Sequence, residues 1–287
     1  MSRVFARDLP HFQGAAMASI RPPAVAGMFY PADPDELRQQ VQSLLAAARS
    51  DPLNQPLTDQ PKALIVPHAG YLYSGATAAR AYALLQPWHQ IIRRVVLLGP
   101  NHRVPLRGLA APSWDGFASP LGTIPVDQSA LAQLEDLPQV QCSDPPHLLE
   151  HALEVQLPFL QCTLENFQLV PLVVGQADAR AVAEVLDRLW DGPETLVVVS
   201  SDLSHFLHDS QARPTDQHTA QAILTLEASL RGEQACGAMP INGLLRSARH
   251  HHLEPRCLEL CNSSRSTGDR ERVVGYGAFV LLPEHKS

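Results

Sequence analysis

Histidine closes three apolar runs of this chain. They are Leu64-Ile-Val-Pro-His68, Val96-Leu-Leu-Gly-Pro-Asn-His102 and Val197-Val-Val-Ser-Ser-Asp-Leu-Ser-His205, the last with Asp202 three residues ahead of its histidine. Runs without polar alternation mark strands covered on both faces, as in parallel sheets. In open α/β proteins, ligands sit beyond the carboxyl ends of such strands. If the three strands run parallel, His68, His102, Asp202 and His205 meet at one sheet edge. Imidazoles with a carboxylate suit a borderline divalent metal such as Fe(II), Cu or Zn, and two histidines with one further anionic ligand is the facial pattern of non-haem iron. A single histidine at a strand end is usually a hydrogen-bonded loop residue. Three of them on buried strands favour a shared site.

Two further stretches carry chemistry. Glu150-His151-Ala-Leu-Glu154 lies in a predicted helix, Leu148–Leu164, that Pro158 kinks or divides. Glu150 and Glu154, four apart, then share a face. With His151 beside them they can form an acid/base pair or orient a metal-bound imidazole, and a solvated face is the competing reading. Cys236-Gly237, between two helices, can supply a thiolate ligand or nucleophile, although a lone cysteine is more often structural. His250-His251-His252 reads as a solvated helix end, and His147, His208 and His218 form no pattern.

The elements that must position these residues alternate strand and helix. Asp33-Pro34-Asp35-Glu36 opens a helix to about Arg49. Strands over Ala63–Val66, Arg94–Leu98, Leu169–Val174 and Thr195–Ser200 interleave with helices over Ser74–Leu85, Asp127–Leu134, Ala177–Trp190, Pro214–Leu230 and Pro240–His250. Pro100–Val126 is an excursion with a hairpin at Gly122–Val126. Leu258–Cys261 and Val273–Leu282 are late strands, and Gly275 and Gly277 suggest an edge or bulged strand for the latter. The pattern predicts a single α/β domain over 21–287, with a central mostly parallel or mixed sheet and helices on both faces. A loose arm precedes it over 1–20, and Met17 offers a second start after Met1.

The 287 residues are 45% hydrophobic and 18% charged, enough for a sizeable core. The net charge of −7 argues against nucleic acid or an anionic membrane as partner. No apolar run approaches the roughly 20 residues of a membrane span, and the first twenty residues hold no signal-peptide core. Five cysteines without CxxC spacing suggest buried thiols in a reducing cytoplasm.

Taken in order, these stretches resemble one family. They are Arg21-Pro-Pro-Ala-Val-Ala-Gly-Met-Phe-Tyr-Pro31, Pro67-His68-Ala-Gly-Tyr71-Leu-Tyr73-Ser-Gly75, Gly99-Pro-Asn-His102, Glu150-His151-Ala-Leu-Glu154-Val-Gln-Leu-Pro-Phe159, Ser200-Ser-Asp202-Leu-Ser-His205, Cys236-Gly237 and Val273-Val-Gly-Tyr276. The family is Memo, whose prokaryotic members are called AmmeMemoRadiSam system protein B, and the resemblance spans Arg21 to Leu282. It implies the fold of the class III extradiol (LigB-like) dioxygenases and a mononuclear site at the sheet edge. Its implied ligands are His68, His102 and Cys236, holding Fe(II) or Cu, with Zn as the third candidate. His205 is the implied acid/base, with Asp202 beside it. From the residues themselves, His151 is a further acid/base candidate, Tyr71 and Tyr73 are expected to line the mouth of the pocket, and Glu150 to border it. The dioxygenase cousins carry a glutamate where Cys236 falls, and a thiolate is softer and more oxidisable. The implied activity is therefore dioxygenase-like redox chemistry on a small aromatic ligand rather than ordinary ring cleavage. Phe206 and Phe29 stand where the family often has Tyr and Trp. Two alternatives are a non-enzymatic protein that binds a peptide in the old pocket, as the founding member is described as doing, and a zinc-dependent hydrolase. The family name also implies a functional link to a radical-SAM protein and an AMMECR1-like protein.

Overall fold

The computed structural model describes residues 18–190 and 192–284. The expectations for residues 1–17, including both start methionines, lie outside them.

Strands that are apolar throughout must be covered on both faces, and four of them form the centre of the sheet. They are β2 (Ala63–Val66), β3 (Arg94–Pro100), β8 (Gln168–Val174) and β9 (Thr195–Ser200). They lie in the order β2-β9-β3-β8, all parallel. The remaining strands, in chain order, are β1 (Ile20–Arg21), β4 (Leu109–Ala111), β5 (Gly116–Ser119), β6 (Gly122–Pro125), β7 (Val140–Cys142), β10 (His205–Leu207), β11 (Leu253–Asn262) and β12 (Val273–Pro283). β12 extends the centre antiparallel to β2, and β4 extends it antiparallel to β8, giving a nine-stranded mixed sheet. β1, β5 and β6 form a separate three-stranded sheet.

The helices flank the main sheet. They are α1 (Pro34–Ser50), α2 (Tyr71–Ala83), α3 (Gln128–Ala132), α4 (Pro145–Leu148), α5 (Leu157–Thr163), α6 (Ala179–Arg188), α7 (Asp209–Leu224), α8 (Ala238–His250) and α9 (Ser264–Thr267). α1, α2 and α5 pack together as one group, and α6 with α8 as another. Asp33 caps α1, its carboxylate accepting from the backbone N–H of Asp35 and Glu36. The architecture is the expected single α/β domain, and it is compatible with the LigB-like fold that the resemblance implies.

Several local expectations change. The helix expected over Leu148–Leu164 is broken: residues 149–153 are irregular, and Pro158 sits in the first turn of α5, where its missing N–H costs nothing. The excursion after Pro100 returns to the main sheet as β4. Pro214 does not start a helix but lies inside α7, which begins at Asp209. β12 is no edge, because β2 and β11 flank it and the irregular register belongs to β11. The five thiols are not buried: Cys142 and Cys257 are exposed and the other three half-buried.

One ion pair ties the N-terminal segment to the broken helix. Arg21 is the largest fully buried side chain, and its Nη1 donates to Glu154 Oε2 at 2.7 Å. Its Nε donates to His147 O (2.7 Å) and its Nη2 to Glu150 O (2.8 Å). Glu154 also accepts from the N–H groups of Ala24 (2.7 Å) and Val25 (2.9 Å) and from the Tyr30 hydroxyl (2.5 Å). Such complete pairing is what offsets the desolvation of two buried charges. Glu154→Gln leaves Arg21 buried without a counter-charge, and we expect a stability loss of about 3–5 kcal/mol. It is read from the urea midpoint at unchanged m-value; a loss below about 1 kcal/mol would show that the pair is dispensable.

Candidate metal centre

β2, β9 and β3 are neighbours and parallel, so the residues following their carboxyl ends come to one edge. His68 lies two residues past β2 and is 2% exposed. His102 follows β3. His151 arrives from the irregular segment 149–153, which lies against the end of β3. A Cβ on Gly99 would fall 2.9 Å from Leu153 Cδ2 and 3.1 Å from Ala152 Cβ, so the segment packs tightly on the strand at this glycine. One ring nitrogen from each of His68, His102 and His151 then lies within 4.8 Å of the others. Cys236, just before α8, places Sγ 3.2 Å from His68 Nε2.

Hydrogen bonds determine which nitrogen each ring offers. Ser200 Oγ donates its proton to Ala152 O (2.6 Å) and accepts from Gln156 Nε2 (2.8 Å). Its remaining lone pair faces His68 Nδ1 at 3.0 Å, so that nitrogen carries the ring proton and Nε2 is left as a lone pair beside Cys236. His102 Nδ1 donates to Glu150 Oε1 (2.8 Å), and the His102 N–H donates to Glu150 Oε2 (2.7 Å). Burial alone would raise the Glu150 pKa. The His102 ring and the N–H groups of Ala152 and His102 outweigh it and hold the carboxylate at about 2. A carboxylate behind an imidazole leaves His102 Nε2 free for a metal. His151 Nδ1 is buried and makes no aligned hydrogen bond, but it lies 3.3 Å from Glu150 Oε1.

The electrostatics favour neutral donors. Burial first, then the neighbouring His102, pushes His68 down to about 3. Burial, then His68, pushes His151 down to about 4. Burial, then the Asp202 charge, pushes the Cys236 thiol up to about 12, so a thiolate there needs a cation beside it. Two imidazoles kept neutral by burial, a third backed by a carboxylate, and an adjacent thiol fit a borderline metal.

The other expected residues divide. Asp202 is buried and accepts from the His68 N–H at 2.7 Å, fixing the backbone of a candidate ligand; burial raises its pKa. His205 opens β10, and its Nδ1 donates to Leu203 O at 2.8 Å, so the neutral ring presents Nε2. Tyr71 does not line a mouth: it is 5% exposed, packs on Phe159 and donates its hydroxyl to Val155 O (2.7 Å). Tyr73 is 43% exposed. Glu154 does not share a face with Glu150 but belongs to the Arg21 pair. The structure also brings in three residues that the sequence reading did not single out for this role. Ser200 and Gln156 orient His68, and Arg21 holds segment 147–154. All three lie within the stretches that carry the family resemblance, but nothing in their local sequence indicates a positioning role.

A cleft of about 530 Å³ opens beside the cluster, with Cys236, Asn101, Arg107, Gln176, Met239 and Pro240 among its lining residues. No helix among the described residues is long and apolar enough to cross a membrane.

The family model described as Memo-like protein matches residues 21–280. The chain is 32% identical over 275 residues to a MEMO1 family protein of Aquifex aeolicus, covering 92% of this chain and 99% of the relative. It is 35% identical over 289 residues to a MEMO1 family protein of Aeropyrum pernix, covering 90% and 98%. An uncharacterized protein of Escherichia coli K12, of solved structure, aligns with 76% of this chain and 98% of its own at a TM-score of 0.46 and 10% identity.

His147 gives a pH test of this region. Its Nε2 donates to Ala110 O (2.9 Å), its Nδ1 is buried without a partner, and burial lowers its pKa from 6.5 to about 4. As pH falls through 6.5 the unfolded chain takes up a proton that the native ring refuses until about pH 4. Stability is thus full above pH 6.5 and declines towards pH 4, by about 3 kcal/mol for this ring. In chelator-treated protein, His147→Gln should flatten that decline by this share; identical slopes would refute it.

Proposed function

The chain belongs to the Memo family, and from that premise we propose that it is a mononuclear metal protein performing redox chemistry on a small molecule held in the cleft beside Cys236. The observation that carries the reading is the convergence of His68, His102 and His151 with the Cys236 sulfur 3.2 Å from His68. His68, His102 and His151 would hold the metal, with the Cys236 thiol as the adjacent soft donor that favours iron or copper. When bound, the metal supplies electron transfer and Lewis acidity.

The protein's own groups do the rest. Ser200 and Glu150 keep the protons of His68 and His102 on Nδ1, which preserves the Nε2 lone pairs. Asp202 holds the His68 backbone. His205, its Nδ1–H spent on Leu203 O, can accept a proton from a bound molecule only at Nε2, as a general base does. Three histidines are also a donor set of catalytic zinc, which supports hydrolysis as the second reading, with His205 as base.

Metal identity separates the two. Anaerobically purified protein should carry about one iron or copper per chain by elemental analysis and consume oxygen when reduced. His102→Ala, at a partly exposed position, should abolish binding with circular dichroism unchanged. Glu150→Gln should weaken affinity by about 10–100-fold. Zinc alone, with no oxygen uptake, would transfer the assignment to hydrolysis. Unchanged metal content in His102→Ala would sink both.

A further inference from the structure

The loop of residues 101–108 carries the candidate ligand His102 near one end and Arg107 near the other. It is held rigidly. The Gln176 N–H donates to Leu106 O, the Gly108 N–H to Gln176 O and the Gly175 N–H to Gly108 O, each at 2.9 Å. The Asn101 side-chain amide donates to Val104 O within the loop. A Cβ on Gly175 would stand 2.2 Å from Leu106 O, so only glycine allows the loop this close to the end of β8. Arg107, an exposed residue, projects from a backbone tied to the end of β8 on both sides, which suits a positioned binding group.

Among the described residues, Arg107 is the only charged one lining the 530 Å³ cleft, and no carboxylate lines it. The cleft wall also carries Gln176, apolar Leu106, Met239 and Pro240, and Cys236 beside the metal cluster. Among the described residues, neither the Arg107 guanidinium nor the Gln176 side-chain amide has an intramolecular partner. An unpaired guanidinium in a cleft without acidic groups presents a planar fork matched to a carboxylate. A single cation matches a single negative charge better than a phosphate dianion.

We infer that the cleft binds a small monocarboxylate with an apolar body. Arg107 and Gln176 hold the carboxylate, and the body runs over Met239 and Pro240 towards Cys236 and the histidine cluster. This names the substrate class of the proposed redox site and rests on that reading.

The test is calorimetric titration of the protein as purified with butyrate, benzoate and 3-phenylpropanoate, each beside its uncharged amide. At least one carboxylate should bind about tenfold more tightly than its amide, the gain expected of a charge-assisted hydrogen bond. Arg107→Gln should reduce that preference to within about twofold, and Arg107→Lys should keep part of it. Metal content should be the same in all three proteins. No preference across the three pairs, or a preference that survives Arg107→Gln, overturns the inference. Metal-free protein that keeps an Arg107-dependent preference overturns the redox reading alone. Metal-loaded protein without the preference overturns this inference alone.

Discussion

The Arg21–Glu154 ion pair is the constraint on which the site depends. Segment 149–153 carries Glu150 and His151, yet it has no helical or strand ladder to satisfy its backbone. The guanidinium supplies what a ladder would, donating to the carbonyls of His147 and Glu150 from a position 1% exposed. Glu154 returns the favour to the N-terminal segment by accepting from Ala24 and Val25. Irregular backbone is costly to bury unless each polar group is paired; here Arg21 takes the carbonyl of Glu150, Ser200 that of Ala152, and the Glu150 carboxylate the N–H of Ala152. Residues far apart in the chain thereby reach the edge of a sheet to which neither segment belongs.

Around that frame the site is a set of proton assignments. A serine whose own proton is committed to Ala152 O forces His68 into one tautomer, and a carboxylate forces His102 into the same one. Burial then keeps His68 and His151 neutral over the physiological range. Arg107 lies outside the cluster on a loop tied by backbone bonds, so the cation of the cleft wall is kept apart from the imidazoles.

Much of this was legible in the sequence. Uninterrupted Val/Leu/Ile runs of this length favour strands covered on both faces, so a meeting of His68 with His102 was expected on the condition that their strands run parallel, as β2, β9 and β3 do. The region around Glu150 was not legible, because spacing of four residues implies a shared face only if the helix exists. A buried arginine more than a hundred residues away offered that backbone better partners than a helix did. Tyr71 misled for a related reason: a tyrosine after a bend looks like a pocket wall until Val155 O accepts its hydroxyl. Exposure of Cys142 and Cys257 depends on edges and bulges that composition does not encode. Arg107 had no pattern at all, since its significance lies in the acidic groups missing from the cleft around it.

The completeness of the hydrogen bonds behind His68 and His102 has a consequence for the life of the protein in its cell. A candidate centre whose histidines are oriented by serine, glutamine and glutamate side chains would not need an ion in order to fold, unlike small zinc domains in which binding and folding are one event. Its loading becomes a matter of exchange kinetics and supply, through the side where His102 meets solvent. Affinity for divalent first-row metals rises along a common order whatever the protein. Which ion occupies such a ready-made seat is then decided by the cell's metal pools more than by the scaffold.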